Sequence, residues 1–383
     1  MSIDTVALLA FFVLLGAFLL KTRKRLQTFS VGKIFYFCMY RTKLGMAAME
    51  RWARKHEKLL RKAGYVMIPA GFIGMAVMLE ELVRGIILLL RNAHALTVGV
   101  VLPIQAKGVF YVPFFYWIIS ILFIMVVHEF GHGIIARAHR VRVKSTGFAF
   151  LGVLIPIVPG AFVEIDEEHL AKQKKYVQLS IFAAGPFVNI VFGLLFFALM
   201  LAMQPAAQAL FAADGMAITD VAKNSPAAIA GLASGELITQ IDAVPVHSVA
   251  DFEQAFAAKK PGDTVSVTTK SGTRAAVLAG TDHARLGVNV EEARHLKQSV
   301  VDNHGWLLPQ LFVWLTQLIS WLFLLNVGVG LFNLVPIGPI DGGRMFHTAL
   351  QHLVQHRHAK VVWHAVSVVL LVIIASTILS AFV

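Results

Sequence analysis

The segment Phe114–Ala138, FFYWIISILFIMVVHEFGHGIIARA, constrains the chain most, because an apolar run of membrane-spanning length carries His128, Glu129 and His132 near its end. On a helix, residues four apart project from one face, one turn above the other, so the two imidazoles are stacked neighbours. Two neutral imidazoles at that spacing can share one Zn²⁺, and Glu129 is placed to take a proton from a metal-bound water. A third protein ligand has to come from elsewhere, which leaves the fourth position of a tetrahedral site open. The alternative is a pair of helix-facing histidines bonded to a buried acid. Ionisable groups in a hydrocarbon segment are costly, however, and that cost argues for a task.

Composition decides the class. The chain has 383 residues, of which 57% are hydrophobic and 15% charged, and its mean hydropathy is +0.71. Such a sequence is that of an integral membrane protein. Its one cysteine, Cys38, excludes an intrachain disulfide and a cysteine-based metal site.

Six spans are expected: Ile3–Leu20, Tyr65–Leu90, Val112–Ala136, Tyr176–Met203, Leu311–Phe332 and Val361–Phe382. The first has no positive residue ahead of it, carries Asp4 instead and is followed by Lys21, Arg23, Lys24 and Arg25, the reverse of a cleaved signal peptide, and reads as an anchor with its N-terminus outside. Residues 21–64 are basic, with a solvated basic helix expected over Gly45–Ala63 at the cytoplasmic surface, to which contact with anionic lipid is an addition. Glu80, Glu81 and Arg84 interrupt the second span, so either it ends near Leu79 or these charges pair within the protein. Asn92–Gly108 reads as an external loop whose apolar run Leu96–Ile104 dips back toward the membrane.

Gly147–Val163, GFAFLGVLIPIVPGAFV, is apolar but short, and Pro156, Pro159 and Gly160 break it. Irregular or β backbone at membrane depth is tolerated only against protein or a cavity, so a re-entrant β-hairpin beside the metal motif is expected, with a short interfacial loop as the alternative. Such strands would offer free N–H and C=O groups to an unwound segment. In the fourth span, Gly185 and Asn189 are one turn apart, a pattern that close helix packing alone explains.

Residues 214–291 are polar and mixed. Strands are expected at Met216–Val221 and Glu236–Ile241, a short helix within Asn224–Leu232, and a helix at Ser248–Ala258 behind a serine cap with Glu253 near its first turn. A hairpin at Thr264–Leu278 and a last strand at Arg285–Val290 complete a small soluble α+β domain.

Charge sets the orientation. Residues 21–64, 137–175 and 344–360 together hold 23 Lys/Arg and six acids, whereas residues 92–108 and 204–310 hold nine Lys/Arg and, with Asp4, 12 acids. The basic side is cytoplasmic by the positive-inside rule, which accounts for the net charge of +12 without nucleic acid. The N-terminus, the soluble domain and the C-terminus then lie outside. Val112 to His128 rises about 24 Å along a helix, placing the motif in the cytoplasmic half of the bilayer. The fifth span runs the same way, so Asp341 emerges at that level. Pro336 and Pro339 prevent a regular helix there, and Gly342-Gly343 let the backbone turn tightly. A lone Asp at a helix break often caps the next helix; at matching depth to two histidines it also fits the missing ligand.

These residues resemble the site-2 proteases, intramembrane zinc metalloproteases. The family's His-Glu-x-x-His motif is matched by His128, Glu129 and His132. Its Asn-x-x-Pro-x-Pro-x-x-Asp-Gly motif is matched by Asn333, Pro336, Asp341 and Gly342, with one extra residue between Pro336 and Pro339. Its Gly-x-x-x-Asn element is matched by Gly185 and Asn189. The resemblance covers about Val112–Val361, and the soluble insert looks like a bacterial-type PDZ domain; extra N-terminal spans with one such insert look most like archaeal members.

The resemblance implies one Zn²⁺ per chain held by His128, His132 and Asp341, with Glu129 as general base. It makes Asn333, Asn189 and Gly185 candidates for orienting the substrate. The implied fold is a polytopic α-helical membrane protein of about six transmembrane helices with a re-entrant β-hairpin and a PDZ-like insert. The regions are 1–110, an N-terminal membrane region, and 111–210, the first part of the core. Residues 212–292 are the PDZ-like domain outside the cytoplasm, and 305–383 the second part of the core. The expected partners are a single-span membrane-protein substrate, the lipid bilayer and, at the PDZ-like domain, a peptide C-terminus near Arg285–Gly287, with a plain size filter against intact ectodomains as the equal alternative.

Three other classes compete. A membrane di-iron oxidase needs many clustered histidines, and His347, His352, His356 and His358 invite that reading, but they sit among Arg357 and Lys360 as a solvated basic face. A metal transporter needs polar residues spread through opposed spans. A non-catalytic protein would keep the metal for structure alone.

Overall fold

The computed structural model describes all residues except 1–2, 32–34, 92–98, 105, 107, 154–157, 281–283, 298–299, 301, 303–304 and 383. The first half contains α1 (Ile3–Thr22), β1 (Leu26–Val31), β2 (Phe35–Thr42), α2 (Met46–Lys55), α3 (Glu57–Leu90), β3 (Val100–Leu102), β4 (Val109–Tyr111) and α4 (Phe114–Ala138). Then come β5 (Val143–Val153), β6 (Val158–Ile165), α5 (Glu167–Ala171) and α6 (Lys175–Leu210). The polar stretch forms β7 (Phe211–Val221), α7 (Pro226–Ile229), β8 (Leu237–Ile241), β9 (Val244–Pro245), α8 (Val249–Ala257), β10 (Thr264–Thr269), β11 (Gly272–Val277) and β12 (Val288–Leu296). The chain ends in α9 (Leu307–Phe332), α10 (Asp341–Leu353) and α11 (His356–Phe382). It divides into two compact units, Met1–Met200 with Thr316–Val383, and Leu201–Leu315.

Six helices, α1, α3, α4, α6, α9 and α11, are long and apolar enough to cross a membrane, as expected. Their exposed faces carry large apolar side chains, among them Val13, Leu14, Leu194, Leu195, Val368 and Val369, which only a lipid surface accommodates at this density. Asp4 accepts a hydrogen bond from the Phe115 N–H at 3.3 Å, placing a negative charge at the positive end of α4. At the other end of α4 the Arg61 guanidinium donates to the Ala138 carbonyl at 2.7 Å.

The N-terminal region differs from the sequence expectation in two respects. The single surface helix expected over Gly45–Ala63 is divided at His56, and α3 runs from Glu57 straight into the second span. Glu57 lies in its first turn and pairs with Arg61 one turn on at 2.8 Å, a favourable start that a reading based on apolar run length passes over. The helix then continues past Glu80, Glu81 and Arg84 without a break, with Arg84 bonded to Glu81 at 3.3 Å. Secondly, the stretch 26–42, read as part of a basic surface segment, forms strands β1 and β2. These pair with each other and then with β5 in a four-stranded antiparallel sheet of order β1-β2-β5-β6. β5 and β6 form an antiparallel β-hairpin pair, with Thr146 opposite Val163 and Phe148 opposite Ala161. Part of the loop at 92–108, and the hairpin tip at 154–157 with Pro156, lie outside the described residues.

In the other unit, the sheet has order β11-β10-β8-β7-β12, with β9 paired to β8. Its core includes Met216, Ile218, Ile238, Ile241, Val265 and Val267, each at most 1% exposed. The expected strands, hairpin and helices are found, but β7 begins at Phe211 rather than Met216 and the last strand is displaced at both ends. The last strand starts at Val288 rather than Arg285 and runs to Leu296, because Gly287 takes a left-handed φ of +82° and interrupts extended backbone before it. Ser248 caps α8 as expected, and Asp251 completes a capping box with it.

That box gives a test with a defined sign. Asp251 accepts hydrogen bonds from the His247 and Ser248 N–H groups, which hold its carboxyl below the usual carboxylate range. A lowered folded-state pKa stabilises above the unfolded value and is lost as pH falls through the folded one. Ser248→Ala is expected to cost about 1 kcal/mol in the melting of this unit at neutral pH. An Asp251→Asn deficit seen at neutral pH should shrink on acidification below about pH 4. A deficit independent of pH would contradict the capping account.

Candidate metal centre

His128 and His132 lie on α4 and Asp341 opens α10, at the end of a non-helical link from α9. The link brings the acid back because Asn333, at the foot of α9, accepts the Gly342 N–H on its carbonyl at 2.7 Å. This approach needs glycine: a Cβ on Gly342 would stand 2.2 Å from the Leu334 carbonyl oxygen. Below the link, Leu334 and Met345 join Ile135 and Ala136 of α4 and Ile181–Ala184 of α6 in one buried core.

The three side chains meet. Asp341 Oδ2 lies 3.0 Å from His128 Nε2 and 3.2 Å from His132 Nε2, and the two Nε2 atoms are 3.1 Å apart. Ligands on bonds of roughly 2.0–2.1 Å in a tetrahedron stand about 3.3 Å from one another, so this donor triangle is nearly the size zinc requires. Among the described residues it is the one group of three metal-ligating side chains that converges. His347 instead stacks on Trp363, with ring centroids 4.9 Å apart, outside any such group.

Each imidazole is held by its other nitrogen. His132 Nδ1 lies 2.6 Å from the Ile181 carbonyl, which can only accept, so the proton sits on Nδ1 and Nε2 keeps its lone pair. His128 Nδ1 lies 3.0 Å from the side-chain amide nitrogen of Asn189, and the Asn189 Oδ1 is buried with no hydrogen-bond partner. Turning that carboxamide over gives the orphaned oxygen a donor. It then places the proton on His128 Nδ1 and frees Nε2. The residues fit a divalent cation with two nitrogen ligands and one oxygen ligand.

α6 can stand this close only because position 185 has no side chain. A Cβ there would lie 2.3 Å from His132 Nε2 and 2.7 Å from His128 Nε2. Gly131 on α4 makes the reciprocal approach, where a Cβ would stand 3.1 Å from the Ala184 carbonyl oxygen. Gly185 and Asn189 are thus placed against the histidines, whereas the Asn333 amide donates back to the Val329 carbonyl in its own helix at 3.0 Å. Glu129 faces the sheet: its Oε2 accepts the Val163 N–H of β6 at 2.7 Å. At this site sequence reasoning missed β2, and it placed the start of α2 at the cytoplasmic surface rather than beside Glu129. Thr42, Leu44 and Met49 reach the same cavity as Glu129, and the contiguous apolar run Phe35–Met39 was the available signal.

Gly185→Ala should displace an imidazole and lower metal affinity about 10–100-fold or more, read by chelator competition on protein whose circular dichroism is unchanged. Asn189→Leu should lower it by a similar factor. Unchanged affinity in both would mean that α6 does not position the histidines.

Comparison with known proteins gives the setting. An uncharacterized protein of Methanocaldococcus jannaschii is 26% identical over 334 residues, covering 84% of this chain and 79% of its own. A putative zinc metalloprotease of Clostridium perfringens is 25% identical over 296 residues, covering 61% of this chain and 86% of its own. Among solved structures, the PDZ domain of an SdrC-like protein from Listeria monocytogenes is 31% identical, covering 20% of this chain and 87% of its own with a TM-score of 0.19. Residues 116–374 match the family described as peptidase family M50, and they include both histidines, Glu129 and Asp341. The chain belongs to peptidase family M50, the site-2 protease family.

Proposed function

We propose that this protein is an intramembrane zinc metalloprotease that hydrolyses peptide bonds within or near transmembrane helices of other membrane proteins. The observation that carries this reading is the approach of His128, His132 and Asp341 to within 3.0–3.2 Å of one another, next in sequence to an acid, inside a chain of family M50. A zinc ion held by those three side chains would supply Lewis acidity toward water and toward a carbonyl.

The chain's own residues do the rest. Asn189 and the Ile181 carbonyl fix both imidazoles with Nε2 facing inward. Glu129, aimed by the Val163 N–H, takes the proton from the attacking water and delivers it to the departing amine. β6 is the edge strand of its sheet, and its Val163 N–H points away from β5 toward Glu129. By the two-residue alternation of a strand, Ala161 offers its N–H and C=O on that same free edge. A peptide bond inside a helix is screened by the helix, so the substrate has to unwind before it can lie extended along this edge beside Glu129.

The excess of Lys and Arg in residues 21–64, 137–175 and 344–360 supports a cytoplasmic position for those segments and for the site's end of α4. The unit Leu201–Leu315 then lies outside the cytoplasm and acts as a PDZ-like module. Its cavity of about 440 Å³ is lined by Phe252 and Phe256 of α8 and by Arg285–Val288, a shape and charge suited to a peptide C-terminus.

Glu129→Gln should keep the metal and lower cleavage of a model single-span substrate at least about 100-fold. Retained cleavage would remove Glu129 as the base; loss of metal together with cleavage would leave a structural site. In a target series, replacing helix-destabilising residues with leucine should slow cleavage, and equal rates throughout would contradict the unwinding requirement.

A further inference from the structure

A cavity of about 180 Å³ opens beside Glu129, and almost all of its wall is apolar. α4 supplies Val126 and Phe130, and the hairpin supplies Phe148, Ala161, Phe162 and Val163. The rest of the lining, Thr42, Leu44, Gly45 and Met49, comes from the segment joining β2 to α2. That segment lies far outside residues 116–374, the part of the chain matched to family M50. It is nonetheless fixed firmly. β2 pairs with β5 along its whole length, Thr146 Oγ1 donates to the Leu44 carbonyl at 2.7 Å, and the Leu44 N–H donates to Thr42 Oγ1 at 3.2 Å. Gly45 begins α2 with a left-handed φ of +80°, the conformation that turns the chain back against Phe130.

We propose that this cavity receives one apolar side chain of the peptide being cut, next to the scissile bond, and that residues 42–49 form its outer wall and set its size. This rests on the protease reading above. Three observations select the occupant. Glu129 lines the cavity, so whatever fills it lies beside the group proposed to handle the proton. Ala161, on the free edge of β6, lines it too, so an extended peptide paired there directs alternate side chains toward it. The size is also informative: an apolar cavity of roughly 150 Å³ accommodates one benzene. The volume therefore suits leucine, methionine or phenylalanine and is too small for an indole. A transmembrane segment supplies the first three in abundance, and a charged side chain would find no partner there but Glu129 and two threonines.

The test uses the full-length protein, loaded with zinc, and a model single-span substrate whose cut site is located by mass spectrometry. Each of the two residues flanking the scissile bond is varied in turn through alanine, leucine, phenylalanine and tryptophan, and kcat/KM is measured. At one of them leucine and phenylalanine should exceed alanine about tenfold or more, with tryptophan rejected. Two variants move the wall in opposite directions. Leu44→Ala, at an exposed position with little structural burden, should admit tryptophan; Ala161→Phe should shift the preference toward alanine. The same order of preference in wild type and both variants overturns the proposal. If Ala161→Phe is inactive on every substrate, the Leu44→Ala comparison alone decides. If the wild-type protein binds zinc and cuts nothing, the protease reading fails and this inference falls with it; cleavage with an unshifted preference sinks the inference alone.

Discussion

Everything at the centre depends on a carboxylate brought within hydrogen-bonding distance of two imidazoles that lie more than two hundred residues earlier in the chain. Such a cluster is costly to bury, since an isolated ionised group in a low-dielectric interior loses its hydration. It persists because each member is held by something that cannot easily move. α4 fixes the spacing of the histidines, the Ile181 carbonyl and Asn189 fix their rings, and the Asn333–Gly342 hydrogen bond fixes the start of α10. The glycines at 131, 185 and 342 are the spatial counterpart, removing side chains where backbone or ring has to pass.

The parts legible in the sequence were those whose cause is local. A helix puts residues four apart on one face whatever surrounds it, so the pairing of His128 with His132 needed no tertiary information. The spans followed from apolar length, and the small mixed unit from strand alternation and the Ser248 cap. Proline and glycine between Pro336 and Gly343 signalled a break that could return Asp341, though its direction came only with the fold.

The parts that stayed hidden depend on distant partners. β2 contains the run Phe35–Met39, but its neighbour is β5, over a hundred residues away, and within its own surroundings of Lys and Arg it reads as a surface segment. From its spacing alone Asn189 read as a packing residue, and only the family resemblance made it a site candidate, because nothing in the sequence identifies the imidazole it meets. The displaced start of β12 has a smaller cause, a single left-handed glycine whose φ cannot be inferred from its neighbours.

The long separation between Asp341 and the histidines also has a consequence in time. Chains enter the membrane from the N-terminus, so α4 and its histidines are in place well before Asp341 has been synthesised. Through that interval the donor triangle lacks its third corner, so the three-ligand cluster is not yet assembled. The cluster closes only with about the last ninth of the sequence, which begins at Asp341.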